Sequence, residues 1–229
     1  MIKPGLVVFD IAGTTVRDKG NVAWAFMDAF TDSGYVISRE DAQQVMGYKK
    51  SDAIRILLRQ KGEDASDQAV VEKIHDAFND KMIRFYNSTP DLKPFEDTEN
   101  LFDWLRERKI RIALNTGFSS PITETILNRL HWKAAETIDA VVSSDEVEHG
   151  RPAPDMIFKI MDLLHITDPL SVVKIGDTES DIAEGRQAGC GLVVGVTTGA
   201  YSRKQLEKYQ PDHIIDHLEW LKGILNLAS

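Results

Sequence analysis

Four acid, hydroxyl and base positions in this chain share one kind of setting, just beyond a short apolar run or in the loop that follows it. Asp10 follows the run Leu6–Phe9 and precedes a Gly13-Thr14-Thr15 turn. Thr116 stands in Asn115-Thr116-Gly117, after the run ending at Leu114. Arg151 stands in Gly150-Arg151-Pro152, ahead of a helical pattern from Pro154. Asp177 and Asp181 fall in Gly176-Asp177-Thr178-Glu179-Ser180-Asp181, after Val172–Ile175. Each fragment alone says little, but their chemistry converges. A carboxylate such as Asp10 can attack phosphorus. Asp10 and Asp177 together can hold Mg²⁺, a hard cation that takes carboxylate, carbonyl and water oxygens. The Thr116 hydroxyl and the fixed charge of Arg151 can hold phosphoryl oxygens. The turn amides after Asp10 can donate to charge developing on oxygen.

These residues need elements that bring them to one edge. Short apolar runs at Leu6–Phe9, Ile110–Leu114, Ala140–Ser143, Val172–Ile175, Leu192–Val196 and His213–Ile215 read as strands. Helical patterns separate them at Glu99–Arg108, Ser120–Leu130, Pro154–Leu164, Asp181–Ala188 and Ser202–Tyr209. Strands alternating with helices predict an α/β fold with a mostly parallel, Rossmann-like sheet between helical layers. In such a sheet the carboxyl ends of the strands border the ligand crevice. Residues 20–88 break the rhythm. Trp24, Met27, Ala29 and Phe30, then Ile54, Leu57 and Leu58, then Val70, Ile74, Ala77, Phe78, Met82 and Phe85 recur at helical spacing. They predict helix–helix packing in an inserted helical domain over the sheet edge. Ser38 and Asp41 mark a helix start there, with an acid shorter than the Glu of a full capping box. Ser88-Thr89-Pro90 closes the insert. The expected division is a core of residues 1–19 and 89–229 and a helical cap of 20–88.

Composition narrows the partners. The chain has 229 residues, 42% hydrophobic and 28% charged, as in an ordinary globular protein. A net charge of −9 disfavours nucleic acid and anionic membrane. The start of the chain lacks a signal-peptide pattern, and no apolar run reaches membrane-spanning length. The single cysteine, Cys190, excludes an internal disulfide, fits a cytoplasmic setting and reads as a small packing residue between two glycines. A small-molecule substrate is expected, with a homodimer left open.

Together, Asp10-x-Ala12-Gly-Thr-Thr, Thr116-Gly117, Gly150-Arg151-Pro152 and Gly176-Asp177-Thr-x-x-Asp181 resemble the haloacid dehalogenase superfamily. They are similar in particular to its phosphonatase-like branch, over residues 6–199. Most phosphatases of the superfamily carry Asp where this chain has Ala12, and Lys where it has Arg151. The resemblance implies a Rossmann-like core and a helical cap of the C1 type. It implies Mg²⁺ held by Asp10, Asp177 and the main-chain carbonyl of Ala12, with Asp181 in the outer shell. It also implies substrate contacts from Thr14, Thr15, Gly117, Met46 and Gly47.

The resemblance gives the cap a chemical part. In Met46-Gly47-Tyr48-Lys49-Lys50-Ser51-Asp52, Lys50 matches the lysine with which phosphonatases form a Schiff base to the substrate carbonyl. The attacking amine must be neutral, and burial or a nearby cation such as Lys49 would favour that form. The iminium then takes the electrons of the carbon–phosphorus bond, so no acid is needed at position 12. The residues alone favour a solvated pair of Lys49 and Lys50 at a helix start, and it is the surrounding motif set that points to a functional Lys50. One position departs from the family: the histidine expected three residues after the lysine is Ala53. That leaves open which 2-oxoalkyl phosphonate is cleaved. Two alternatives stand beside this reading, a phosphomonoesterase of the phosphoglycolate phosphatase type and a non-catalytic binding module on the same fold. An alkoxide leaving group gains ~10²–10⁴-fold from a general acid, which Ala12 cannot supply. Intact Asp10, Thr116, Arg151, Asp177 and Asp181 argue against a decayed site. His149, near Arg151, reads as a loop residue.

Overall fold

The structure is a computed structural model and describes residues 4–133 and 136–225. Six parallel strands form one sheet in the order β3-β2-β1-β4-β5-β6. They are β1 (Leu6–Phe9), β2 (Arg111–Thr116), β3 (Ala140–Ser143), β4 (Val172–Gly176), β5 (Leu192–Val196) and β6 (His213–Ile215). Leu6, Val7, Val8 and Phe9 are all fully buried, because β1 is central and helices cover both faces of the sheet. Alternation sends Val7 and Phe9 into one apolar cluster and Leu6 and Val8 into the other.

Between β1 and the next strand lie α1 (Asn21–Asp32), α2 (Arg39–Gln44), α3 (Lys50–Gln60), α4 (Gln68–Ser88) and α5 (Thr98–Glu107). The first four make the insert, and no strand falls within it. The remaining helices are α6 (Ser120–Leu130), α7 (Asp155–Leu163), α8 (Glu179–Gln187), α9 (Arg203–Leu206) and α10 (Leu221–Leu225). The insert's apolar stripes join the cluster on the Val7–Phe9 face, where Phe26, Ile54, Leu57 and Phe78 belong with Phe9 and Ile175. Among the described residues no helix is long and apolar enough to cross a membrane.

Four local expectations need correction. The second strand runs two residues further than expected, so Asn115 and Thr116 belong to β2 and not to the loop beyond it. Trp24 is 55% exposed, because α1 buries Val22, Phe26, Ala29 and Phe30 and Trp24 falls on the other side of that stripe. The Ser38 capping box is complete despite the shorter acid: Ser38 N donates to Asp41 Oδ2 at 2.8 Å, and Asp41 N to Ser38 Oγ at 3.1 Å. The pattern over 202–209 resolves into α9 and a following 3₁₀ turn, Glu207–Tyr209.

β1 and β4 are neighbours in register, with Phe9 beside Ile175. The chain fills β2 and β3 on one side of β1 and β4 to β6 on the other, so the sheet reverses its winding between β1 and β4. Asp10 and Asp177 leave those two strands at their carboxyl ends, where the reversal opens a crevice.

Candidate active site

A small cavity of about 30 Å³ lies above that reversal, lined from the core by Asp10, Ala12, Thr116, Gly117, Phe118, Asp177 and Thr178 and from the insert by Val22, Met46, Gly47 and Lys50. Asp18 and Ala200 complete the wall. Asp10, Thr116 and Asp177 were expected from strand ends, and Lys50, Met46 and Gly47 from the insert. Asp18, Val22, Phe118, Thr178 and Ala200 carried no such signal in the sequence.

Lys50 opens α3 and is only 3% exposed, so it is not half of a solvated pair. Its Nζ donates to the Tyr48 carbonyl at 3.2 Å. The rings of Phe26, Phe78 and Phe118 surround it, with centroids 5.8, 5.6 and 5.7 Å from Nζ. Aromatic faces favour an ammonium modestly, but burial outweighs them. Burial, opposed by the Asp10 carboxylate and assisted by the Arg151 cation, brings the Lys50 amine down to about 8. The second cation is therefore Arg151 and not Lys49. Lys49 turns away and donates from Nζ to the Val147 and Glu148 carbonyls at 2.9 and 3.1 Å.

Arg151 is fully buried beneath Asp10 and does not line the cavity. The Arg151–Pro152 peptide bond is cis. Arg151 Nη1 lies 2.6 Å from Asp10 Oδ1 and 2.9 Å from Asp181 Oδ1. Its Nε donates to Glu184 Oε2 at 3.0 Å. Its Nη2 donates to Asn115 O and Oδ1 at 2.6 Å each. The expected phosphoryl contact is thus replaced by a clamp on Asp10. Lys174, in the middle of β4, donates to Asn115 Oδ1 at 2.8 Å and lies 2.9 Å from Asp181 Oδ1 and 3.3 Å from Glu184 Oε2. Asn115, Lys174 and Glu184 were not foreseen. A lysine inside the apolar run Val172–Gly176 is the signal that was available, since a buried ammonium needs partners. Glu184 stands three residues after Asp181, on the same helix face.

Thr14 and Thr15 are fully buried and absent from the cavity wall. Thr14 Oγ1 donates to Asp177 Oδ1 at 2.9 Å, and Thr15 Oγ1 to the Asp10 carbonyl at 3.0 Å. Their hydroxyls fix the two acids and do not face a ligand. Asp181 also caps α8, accepting from Thr178 Oγ1 at 2.6 Å. His149 is exposed in its loop beside Asp155, at 3.1 Å. Cys190 is buried, and burial pushes its thiol up to about 12, which makes it inert.

The charges do not balance. Asp10, Asp177, Asp181 and Glu184 are four buried acids, against the three buried basic side chains Arg151, Lys174 and Lys50. Burial would raise Asp181, but Arg151 and Lys174 hold it below the usual carboxylate range. Asp10 is raised to about 6 by burial, in spite of Arg151. Asp177 is raised well above its ordinary value by burial and by repulsion from Asp10 and Asp181. The two buried acids that are raised, Asp10 and Asp177, both line the cavity, as does Asp18. A divalent cation with oxygen ligands fits this deficit. Among the described residues no group of three or more Asp, Glu, His or Cys is placed to hold a metal. The protein's share of a Mg²⁺ shell would be two carboxylates and a carbonyl, with water completing it.

The insert meets the core along a close seam. Gly47, at φ 84°, reverses the chain ahead of α3, and a Cβ there would strike Ser180 and Thr178. A Cβ on Gly117 would lie 2.5 Å from both the Gly47 and the Tyr48 carbonyl oxygens. Polar contacts flank the seam. Gln43 Nε2 donates to the Ala200 carbonyl at 2.7 Å, Tyr48 OH to Glu179 Oε1 at 3.2 Å, and Ser119 Oγ to Asn79 Oδ1 at 3.0 Å.

A family model described as haloacid dehalogenase-like hydrolase matches residues 7–195. The phosphonoacetaldehyde hydrolase of Bacillus cytotoxicus is 31% identical over 215 residues, 88% of this chain and 80% of that protein. That of Bacillus cereus strain ATCC 10987 is 30% identical over 231 residues, 95% of this chain and 86% of that protein. Among solved structures, a phosphonoacetaldehyde hydrolase like protein from Oleispira antarctica superposes with a TM-score of 0.82 at 24% identity, over 97% of this chain and 91% of that one.

Proposed function

Since the chain belongs to the haloacid dehalogenase-like hydrolases, in their phosphonatase-like branch, we propose that it hydrolyses the carbon–phosphorus bond of a 2-oxoalkyl phosphonate. The observation that carries this reading is the buried Lys50 amine, brought down to about 8 and sharing one cavity with Asp10. At pH 7 roughly one such amine in ten is neutral, against about one in a few thousand for an unperturbed lysine. A helix N-terminus beside the amine also disfavours its charged form.

The neutral Lys50 amine adds to the substrate carbonyl, and loss of water leaves an iminium. An Asp10 oxygen attacks phosphorus while the carbon–phosphorus bond breaks. The bonding pair moves into the iminium, which becomes an enamine, and Asp10 becomes an aspartyl phosphate. Water then attacks phosphorus, releasing phosphate and restoring the Asp10 carboxylate. Protonation of the enamine at carbon and hydrolysis of the resulting iminium free the carbonyl product and Lys50. Arg151 holds Asp10 in place from below, and the Phe26, Phe78 and Phe118 rings keep water from the imine. Asp10, Asp177 and the Ala12 carbonyl would hold Mg²⁺, which when bound supplies positive charge for the phosphoryl oxygens.

Residues 20–88 act in this reading as a cap that delivers Lys50 to a core of 1–19 and 89–229. Such a cap must part to admit substrate, since on the scale where one water needs ~10–15 Å³ the closed cavity holds only a few. Gly117→Ala should therefore push the insert off the core while each body stays folded, and reduce kcat about 10²-fold, the scale of a misplacement near 1 Å. Unchanged kcat in that variant would show that the seam does not control closure.

The deciding experiment is a phosphate-release screen with Mg²⁺ across 2-oxoalkyl phosphonates and phosphate esters, with and without borohydride. Phosphonates should be preferred, and borohydride should inactivate only in their presence, leaving a mass adduct on Lys50. The kcat/KM for a phosphonate should rise with pH and level off above about 8, because the reactive form is the neutral amine. Among esters, p-nitrophenyl phosphate should outpace glycolate phosphate, since its leaving group needs no acid. Glycolate phosphate turned over as fast as any phosphonate would favour the phosphomonoesterase reading.

A further inference from the structure

A second chamber, of about 190 Å³, adjoins the catalytic cavity and shares three wall residues with it, Asp18, Met46 and Ala200. It lies between α1 and α2 of the insert and the Gly199-Ala200 segment of the core. Its charged wall residues are Asp18, Lys19 and Arg39. Asp18 accepts from the Asn21 amide at 2.8 Å, at the start of α1. Lys19 is paired with Asp91 at 3.0 Å. Arg39 makes no ion pair with any described residue, and its guanidinium lies over Gly20, where an added Cβ would come within 3.4 Å of Nη2. The chamber therefore presents one uncommitted, planar cation.

We propose that this chamber is a distal subsite for the group attached to the substrate's carbonyl carbon, and that Arg39 selects substrates in which this group ends in a carboxylate. The inference rests on the carbon–phosphorus reading above, which assigns phosphorus to Asp10 and the carbonyl carbon to Lys50. Met46, four residues before Lys50, belongs to both walls, so a substituent on that carbon leaves the catalytic cavity past Met46. The catalytic cavity measures about 30 Å³ and the chamber about 190 Å³, so the chamber is the roomier of the two. A guanidinium matches a carboxylate through two parallel N–H donors.

The test measures kcat/KM in Mg²⁺ buffer for phosphonoacetaldehyde, 4-oxo-5-phosphonopentanoate and the carboxamide of the latter. Wild type should prefer the carboxylate over the carboxamide roughly tenfold, the scale of one charge-assisted contact. In Arg39→Gln that ratio should fall to about one through KM, and in Arg39→Glu it should fall below one. A wild-type ratio near one, or a ratio that Arg39→Gln leaves in place, overturns the subsite. Cleavage of phosphonoacetaldehyde without cleavage of either longer substrate overturns it too, while the carbon–phosphorus reading stands. No cleavage of any of the three overturns both.

Discussion

Replacing Lys50 by methionine should abolish phosphate release from every 2-oxoalkyl phosphonate, a loss of roughly 10⁴-fold or more, on the scale seen when a covalent nucleophile is removed. Methionine suits the site because it matches the length of the lysine stem and asks nothing of the three rings around Nζ. The fold should gain stability at neutral pH. The folded amine titrates near 8 and the unfolded one near its ordinary 10.5. Between those values the unfolded chain binds more protons, so wild-type stability rises with pH across that window and is lowest below it. The methionine variant escapes that cost. Lys50→Arg separates charge from covalency, since arginine stays cationic and forms no imine under these conditions. Both variants should lose the borohydride adduct. Carbon–phosphorus cleavage in either one, or an adduct on Lys49 in wild type, would defeat the imine mechanism.

Asp10→Asn should stop phosphate release to the same degree while leaving the other half of the chemistry in place. The amide keeps an oxygen toward Arg151 Nη1, which in wild type lies 2.6 Å from Asp10 Oδ1. It also removes a charge that repels Asp177, so Asp177 should ionise more readily. Lys50 loses the carboxylate that raises its pKa, so its amine becomes more often neutral. Imine formation should survive, and borohydride should still trap the substrate on Lys50 in the asparagine variant. Trapping without phosphate release assigns carbon to Lys50 and phosphorus to Asp10. Continued phosphate release from Asp10→Asn would remove Asp10 from the reaction. A folded variant that no longer traps substrate would show that the two halves are not separable.

The sheet was legible because its inner parallel strands are buried on both faces and so read as mostly apolar runs. β1, β3, β5 and β6 begin and end where those runs do. β2 ran past its apolar run because Asn115 and Thr116 are buried polar residues, Asn115 held by a partner distant in sequence, Glu184. The same reason hid the charge set under Asp10. Arg151, Lys174 and Glu184 meet only after the sheet has brought β4, α8 and the loop before α7 together, and local pattern carries no trace of that meeting. Lys50 was visible as a candidate, but its burial was not. Its surroundings come from α1, α4 and the loop after β2, so the ring cage is a product of tertiary packing. Arg151 was expected to face a ligand because its charge is fixed, yet its donors are turned on protein groups, the Asp10 carboxylate included.

The seam between insert and core is made where side chains are missing. Gly47 and Gly117 meet through carbonyl oxygens and bare α-carbons. Main-chain atoms are the same for every sequence, so this glycine-to-glycine part of the docking does not depend on which side chains the inner walls of α1 and α2 display. A residue such as Arg39, whose guanidinium lies over Gly20 of the insert itself, can then change without disturbing how the two bodies seat. Docking and selectivity thus become separately heritable traits. Substrate range can drift along the walls while the two glycines hold the reacting groups at a constant separation.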